Sequence, residues 1–404
     1  MPATGCASSL AWNVPAGSAL FGTGAPPLSG IATSMIPKSW RPVGAALVAS
    51  CLVVQGAAAK PEKDRKTEAA QPPALTADTV NAAALAPPEA GKDRDAKPNT
   101  KARRAAASAE KPDPLVVKAQ VLLDRAHFYP GAIDGRTGEN YKRALSAFAV
   151  AQGLPATQSL NPEVWDKLQA TSDKPVVTDY TITESDAAGP YVERIPPKME
   201  QQADLKTLGY TNAREMLAER FHMGRDLVSA LNPGKSLDKA GTVIAVAAVE
   251  PMGTDKPKAK DLPESPKVER IEVGKASRDV RAFGADGKLL AYYPASIGSS
   301  EKPAPSGDTK VKGVAFDPDY TYNPKYAFKG VKAQHKFTIQ SGPNNPVGLV
   351  WIDLAIPSYG IHGTPEPEKV GKTESHGCIR LTNWNARDLA AHVTRGAEVV
   401  FKED

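Results

Sequence analysis

Between residues 60 and 112 the chain is built of Ala, Pro, Lys, Asp and Glu, with almost no large apolar side chain. Such a stretch cannot bury enough surface to offset the entropy lost on ordering it, so it is expected to be a disordered tether. Whatever folds must therefore lie beyond residue 112, and whatever precedes residue 60 is a separate matter. A second Pro/Lys-rich stretch, 251–266, reads as another linker and divides what remains. The 404 residues leave room for two or three domains, but with 36 prolines, 32 glycines and 6% aromatics part of that length is not packed core.

Ahead of the tether, "MIPKSWRPVGAALVASCLVVQGAAAK" has basic Lys38 and Arg41, an apolar run from Val43 to Val54, and small residues Ala57, Ala58 and Ala59. This is the pattern of a secretory signal peptide over 35–59, and the run is too short to span a bilayer. Because the pattern begins at Met35, residues 1–34 are expected to derive from an upstream start codon. An alternative takes Val48-Ala49-Ser50-Cys51 as a loose lipobox with Cys51 acylated. Either way the protein is expected to be exported to the periplasm or cell envelope. Its three cysteines are Cys6, Cys51 and Cys378, so Cys378 is left as a lone thiol in an oxidising compartment. A free thiol there is a liability unless it has a task.

Past the tether, Val117, Val121, Leu122 and Ala126 fall at helical spacing, "YPGAIDGRTG" makes a tight loop, and two further amphipathic helices are marked by Ala144, Leu145, Phe148 and by Val164, Trp165, Leu168. Helix, G-x-I-D-G-x-x-G loop, helix and short helix over 113–170 resemble the three-helix peptidoglycan-binding domain. Asp134 is read as capping its own glycine-rich turn rather than holding a metal. Over 178–250, "YTITESD", the helical "MLAERFHMGRDLVSALNP" and "LDKAGTVIAVAAV" give a small α+β module that resembles an interrupted LysM glycan-binding unit.

From 267 the texture turns to alternating, β-branched, glycine-punctuated segments, with "ADGK" as a hairpin signal and one late helix, Asn385 to Thr394, capped by Asn383 or Asn385. The protein is thus expected to be multidomain: a small three-helix domain, a small α+β module, and a mostly β, β-sandwich-like C-terminal domain at 267–404.

Cys378 lies in "IHGTPEPEKVGKTESHGCIRLTN". A cysteine attacks as its thiolate and needs a base or positive charge close by. His362 and His376 are candidate bases, Arg380 is a fixed charge suited to a carboxylate, and Gly377 permits a turn that presents backbone N–H groups to a reacting carbonyl. Each residue alone also admits a structural role: a buried small thiol, a satisfied histidine, a surface charge. Zinc on His362, His376 and Cys378 lacks a placed carboxylate, so no metal and no cofactor is expected. The net charge of +5 is mild, and no Lys/Arg stripe with interleaved aromatics points to nucleic acid.

"IHGT", "SHGCIRL" and the following Asn and Ala positions resemble the signature of the YkuD-type L,D-transpeptidase catalytic domain. "KPAPSGDTKV" and "SGPNNPVGLVWIDL" are similar to upstream segments of that family. The resemblance implies a nucleophile at Cys378, a base at His362 oriented by the Gly363 carbonyl, and an oxyanion turn at Gly377. Ser375, His376, Arg380 and Tyr359 would then bind substrate. It implies acyl transfer from a tetrapeptide stem of peptidoglycan to a neighbouring stem amine, with release of D-alanine and formation of a 3→3 cross-link. The same thioester could instead pass to water or to an envelope protein, making a carboxypeptidase or a protein-to-wall ligase. A non-catalytic wall-binding scaffold is the reading from another class. The partners implied are stem peptides and glycan, and nothing in the sequence sets an oligomeric state.

Overall fold

The computed structural model describes residues 74–86, 111–299, 302–326, 331, 333–375 and 377–403. The expected signal peptide with Cys51, the upstream segment 1–34 and His376 lie outside the described residues.

Part of the expected tether is folded. Thr76 caps a short helix, α1 (Ala77–Asn81), through a capping box. Val80 is fully buried. The Asn81 side chain accepts from the Val176 and Val177 amides, both at 2.9 Å, and donates to the Val177 carbonyl at 3.0 Å. Lys118 Nζ donates to the carbonyls of Asn81 and Ala83, each at 2.8 Å. A composition argument asks whether a segment can build its own core. One turn of helix needs only one valine and one amide to be held on a surface that others have built.

The three-helix region follows. Asp113 caps α2 (Pro114–Arg125), with Pro114 at its first position, and the helix buries Val117, Val121 and Leu122. α3 (Glu139–Ala151) buries Leu145 and Phe148, and α4 (Pro162–Gln169), capped by Asn161, buries Val164, Trp165 and Leu168. In the loop between α2 and α3, Asp134 Oδ1 accepts from the Arg136 amide at 2.9 Å, so it caps its own turn.

In the middle region β1 (Val177–Thr181) pairs antiparallel with β2 (Val243–Ala247), from Val177↔Ala247 to Thr181↔Val243. Four helices lie between them: α5 (Glu184–Ala188), α6 (Met199–Gln202), α7 (Ala213–Arg220) and α8 (Arg225–Leu231). This region does not have a core of its own. Val80, Leu122, Phe148, Leu217, Val228 and Ile244 belong to one apolar cluster that runs through α1, the three-helix region and the β1–β2 unit. The second linker is docked at its start: Met252 is buried against Leu349 and Trp384.

The C-terminal region is a nine-stranded sheet, ordered β5-β4-β3-β13-β7-β10-β11-β12-β6. Its strands are β3 (Val268–Gly274), β4 (Asp279–Phe283), β5 (Leu289–Pro294), β6 (Ser296–Ile297), β7 (Gly307–Phe316), β10 (Val350–Leu354), β11 (Gly360–His362), β12 (Ile379–Arg380) and β13 (Val393–Lys402), with a separate pair β8 (Tyr320–Tyr322) and β9 (Phe337–Ile339). The long β7 joins two halves. Its start pairs with β13, from Phe401↔Gly307 to Glu398↔Lys310, and its remainder with β10, from Leu354↔Val311 to Val350↔Phe316. Both halves and helix α9 (Asn383–His392) contribute to one core, with Ile271, Val280, Ile352, Ile361, Ile379, Leu389 and Val399 among its residues. The "ADGK" turn joins β4 to β5, its Gly284 amide bonded to the Lys288 carbonyl at 3.0 Å.

One expectation is corrected at α9. It starts at Asn383, and its cap is Thr382, whose hydroxyl accepts from the Asn385 amide at 3.3 Å. Asn383 is buried and its side-chain amide bonds to other elements.

Aromatic contacts fasten the N-terminal regions to this sheet. Tyr129 stacks on Tyr293 at 5.2 Å. His222, bonded to Asp124 at 3.1 Å, stacks on Trp384 at 5.3 Å. Among the described residues no helix is long and apolar enough to cross a membrane.

Candidate active site

The site is set by the register of two short parallel strands. β11 and β12 align Ile361 with Ile379 and His362 with Arg380. Both isoleucines are fully buried in the sheet core. Side chains alternate along a strand, so His362 and Arg380 stand on the opposite face, and Cys378 lies in the bend that leads into β12. The buried isoleucine of each strand, in "GIH" and "CIR", leaves His362 and Arg380 on the other face.

His362 is 6% exposed and stacks on Trp351 of β10, its register partner, with ring centroids 5.7 Å apart. Its Nδ1 lies 2.6 Å from the Gly363 carbonyl. That oxygen can only accept, so Nδ1 carries the proton and Nε2 keeps its lone pair. Burial, then the nearby Arg380 charge, holds the imidazole pKa down at about 3, against a smaller lift from the Gly363 carbonyl. The ring is therefore neutral near neutral pH.

The Cys378 thiol is half-buried and donates to the Ser358 carbonyl at 3.6 Å. Burial pushes it above its ordinary value, while the Gly360 backbone, Arg380 and Lys302 favour the thiolate without reversing that shift. The resting pair is thus thiol and neutral imidazole. Gly377 has φ +104°, where L side chains are strained, and a Cβ there would come within 3.2 Å of Tyr359 Cε1. The glycine both makes the turn and admits the Tyr359 ring beside it. Burial lowers the Arg380 guanidinium pKa, with Glu366 and Cys378 raising it.

Ser375 is tied to the cysteine turn. It is 3% exposed, its amide bonds to the Gly298 carbonyl at 2.9 Å, and its hydroxyl donates to the Cys378 carbonyl. Its hydroxyl braces the cysteine turn. His362 bonds to Gly363, Gly377 lies against Tyr359, and the Arg380 charge acts on both His362 and Cys378.

Several neighbours carried no sequence signal. Tyr320, on β8, is close enough that its hydroxyl is pushed up to about 12 by burial, then by Cys378 and Tyr322. Lys302 acts on the thiol from the segment after β6. Trp351 could have been found from "VWIDL", where it takes the polar phase of an alternating strand. Among the described residues no three His, Cys, Asp or Glu side chains are grouped to hold a metal ion. A thiol, a neutral imidazole with a free Nε2 lone pair, and an arginine whose charge acts on both form a set suited to acyl transfer through a thioester.

Comparison with known proteins agrees with this chemistry. Residues 269–401 match the model of the L,D-transpeptidase catalytic domain, YkuD, and residues 112–168 match a "Putative peptidoglycan binding domain". A YkuD protein of Bacillus licheniformis is 28% identical over 185 residues, covering 46% of this chain and 90% of the relative. The "Probable L,D-transpeptidase YbiS" of Escherichia coli is 27% identical over 201 residues, covering 48% of this chain and 62% of its own length. A crystal structure of L,D-transpeptidase 3 from Mycobacterium tuberculosis superimposes with a TM-score of 0.29 at 17% identity, covering 41% of this chain and 76% of the other, and carries no weight in the assignment. Residues 269–401 thus match the YkuD L,D-transpeptidase catalytic domain, and a peptidoglycan-binding domain is matched ahead of it.

Proposed function

We propose that this protein is an exported L,D-transpeptidase that makes 3→3 cross-links in peptidoglycan. The observation that carries the reading is the register of β11 and β12, which sets His362 beside Arg380, whose charge also acts on the Cys378 thiol. As Cys378 Sγ attacks the carbonyl of the third stem residue, its proton passes to His362 Nε2. The C–N bond to the terminal D-alanine then breaks, and its amine leaves with that proton, giving a thioester and a neutral imidazole. An amine from a neighbouring stem attacks the thioester and gives a proton to His362. The thiolate leaves and is reprotonated, so the cycle closes with one amide exchanged for another. Arg380 supplies the charge for a substrate carboxylate. The amides of Gly377 and Cys378 supply donors for the oxyanion, a role supported by the left-handed turn at Gly377.

The three-helix domain and the β1–β2 unit are read as wall-contacting parts that raise the local concentration of catalyst at an insoluble polymer. Because they pack onto the catalytic sheet, the test uses the full chain. Incubated with purified disaccharide-tetrapeptide, it should release D-alanine and yield 3→3 dimers, and the Cys378→Ala variant should do neither. D-alanine release with tripeptide alone would replace cross-linking with hydrolysis. No release by folded protein would remove the enzymatic reading.

A further inference from the structure

Glu219 on α7 is 3% exposed, more than 140 positions from the catalytic histidine in sequence, and no step above uses it. Its Oε2 accepts from Asn383 Nδ2 at 2.9 Å and from the Tyr210 hydroxyl at 3.2 Å. On the other side of the Asn383 amide, Oδ1 accepts from the Thr364 and Leu349 amides, both at 3.1 Å. The Thr364 N–H belongs to the same peptide unit as the Gly363 carbonyl, which takes the His362 Nδ1 proton at 2.6 Å. The bonds therefore run without a break: Glu219 carboxylate, Asn383 amide, Gly363–Thr364 peptide, His362 imidazole.

The sequence is built to allow this approach. A Cβ on Gly363 would sit 2.2 Å from Asn383 Oδ1, and one on Gly348 would sit 2.0 Å from it. Glycine at both places lets the asparagine reach the peptide. Each unit in the chain donates at one end and accepts at the other, so all the dipoles point the same way. Hydrogen bonds aligned like this polarise one another, most in a buried site.

We propose that Glu219 is a positioning residue for acyl transfer, acting through Asn383 and the Gly363–Thr364 peptide to orient His362 and to stabilise the imidazolium that forms when Cys378 gives up its proton. The proposal rests on the acyl-transfer reading and deepens it: the middle region supplies a remote anion to the cysteine–histidine pair. The groups around the carboxyl are Tyr210, Glu215, Arg225 and Asn383. Burial raises its pKa to about 8, with the Asn383 and Tyr210 bonds and Arg225 lowering it and Glu215 raising it. The relay is thus charged on the alkaline side of that value and uncharged on the acid side.

The test is Glu219→Gln in the full chain, which keeps an acceptor for Asn383 and Tyr210 and removes the charge. Two rates are followed between about pH 6 and 9: alkylation of Cys378 by iodoacetamide, located by peptide mapping, and D-alanine release from disaccharide-tetrapeptide. The variant should remain folded and keep its KM, lose about tenfold in kcat on the alkaline side, equivalent to about 1.4 kcal/mol, and lose the wild-type rise in alkylation near pH 8. Wild-type rates and pH profile in a folded variant would overturn the proposal. If wild-type protein releases no D-alanine, the transpeptidase reading fails while the alkylation profiles still decide the relay. Should the variant not fold, the His362 Nδ1 proton of wild-type protein is followed by NMR. A shift near pH 8 supports the relay, and a resonance that is flat across that range overturns it.

Discussion

Arg225 holds the Glu368 carboxylate with two parallel bonds, Nε to Oε1 at 2.9 Å and Nη2 to Oε2 at 3.1 Å. The pair ties α8 of the middle region to the turn at Pro367–Lys369, which follows the strand of His362. Both side chains are about one-third exposed (35% and 37%), so solvent screens the pair, and its contribution is about 1 kcal/mol at most. Burial raises the Glu368 carboxyl pKa, but the Arg225 bonds and charge outweigh it and leave the group below its ordinary value of 4.5. Its stabilisation is therefore present above 4.5 and is lost as pH falls through the lower folded value. Glu368→Gln should reduce stability near neutral pH by about 1 kcal/mol and leave it unchanged in strong acid or high salt, measured by urea unfolding.

Asn81 is the pin of the N-terminal segment. Replacing it with alanine leaves the Val176 and Val177 amides without their acceptor and should cost about 1–3 kcal/mol, with earlier proteolytic cleavage near residue 81. An unchanged urea midpoint would mean that the segment is not held in solution.

Gly377→Ala places a Cβ at φ +104° and 3.2 Å from Tyr359. The strain, about 1–2 kcal/mol, falls on the turn that leads into Cys378, the proposed nucleophile. Acylation should drop by at least about tenfold while the melting temperature shifts by only a few degrees. Wild-type acylation would show that the turn does not need this conformation.

Two buried groups set opposite pH limbs. His362 is held at about 3 against 6.5 in an unfolded chain, so unfolded protein binds the extra proton between those values and stability falls as pH drops through that window. Glu219 is held at about 8 against 4.5, so folded protein binds the extra proton and stability falls as pH rises from 4.5 to about 8. Urea midpoints should show His362→Gln flattening the acid limb and Glu219→Gln the alkaline one. If neither variant changes its limb, the burial argument for that group is wrong.

Much of the catalytic sheet was legible because strand alternation survives in the sequence. The alternating, β-branched runs on either side of the "ADGK" turn announce its hairpin. The rest depends on partners far away along the chain. Asn383 looks like a helix cap, and only the fold shows that Glu219 and Thr364 take both ends of its amide. Ser375 looks like a pocket residue until its hydroxyl is found on the Cys378 carbonyl. The docking of 74–86 and the single core shared by the three-helix and middle regions were hidden because composition reports what a segment can bury alone.

The most direct test of the central claim is intact-mass spectrometry of the full chain during incubation with disaccharide-tetrapeptide, followed by peptide mapping. The account predicts a transient adduct equal to the substrate less D-alanine, located on Cys378 and absent from His362→Gln at the same times. Folded wild-type protein that never acquires this mass, or acquires it away from Cys378, would contradict it.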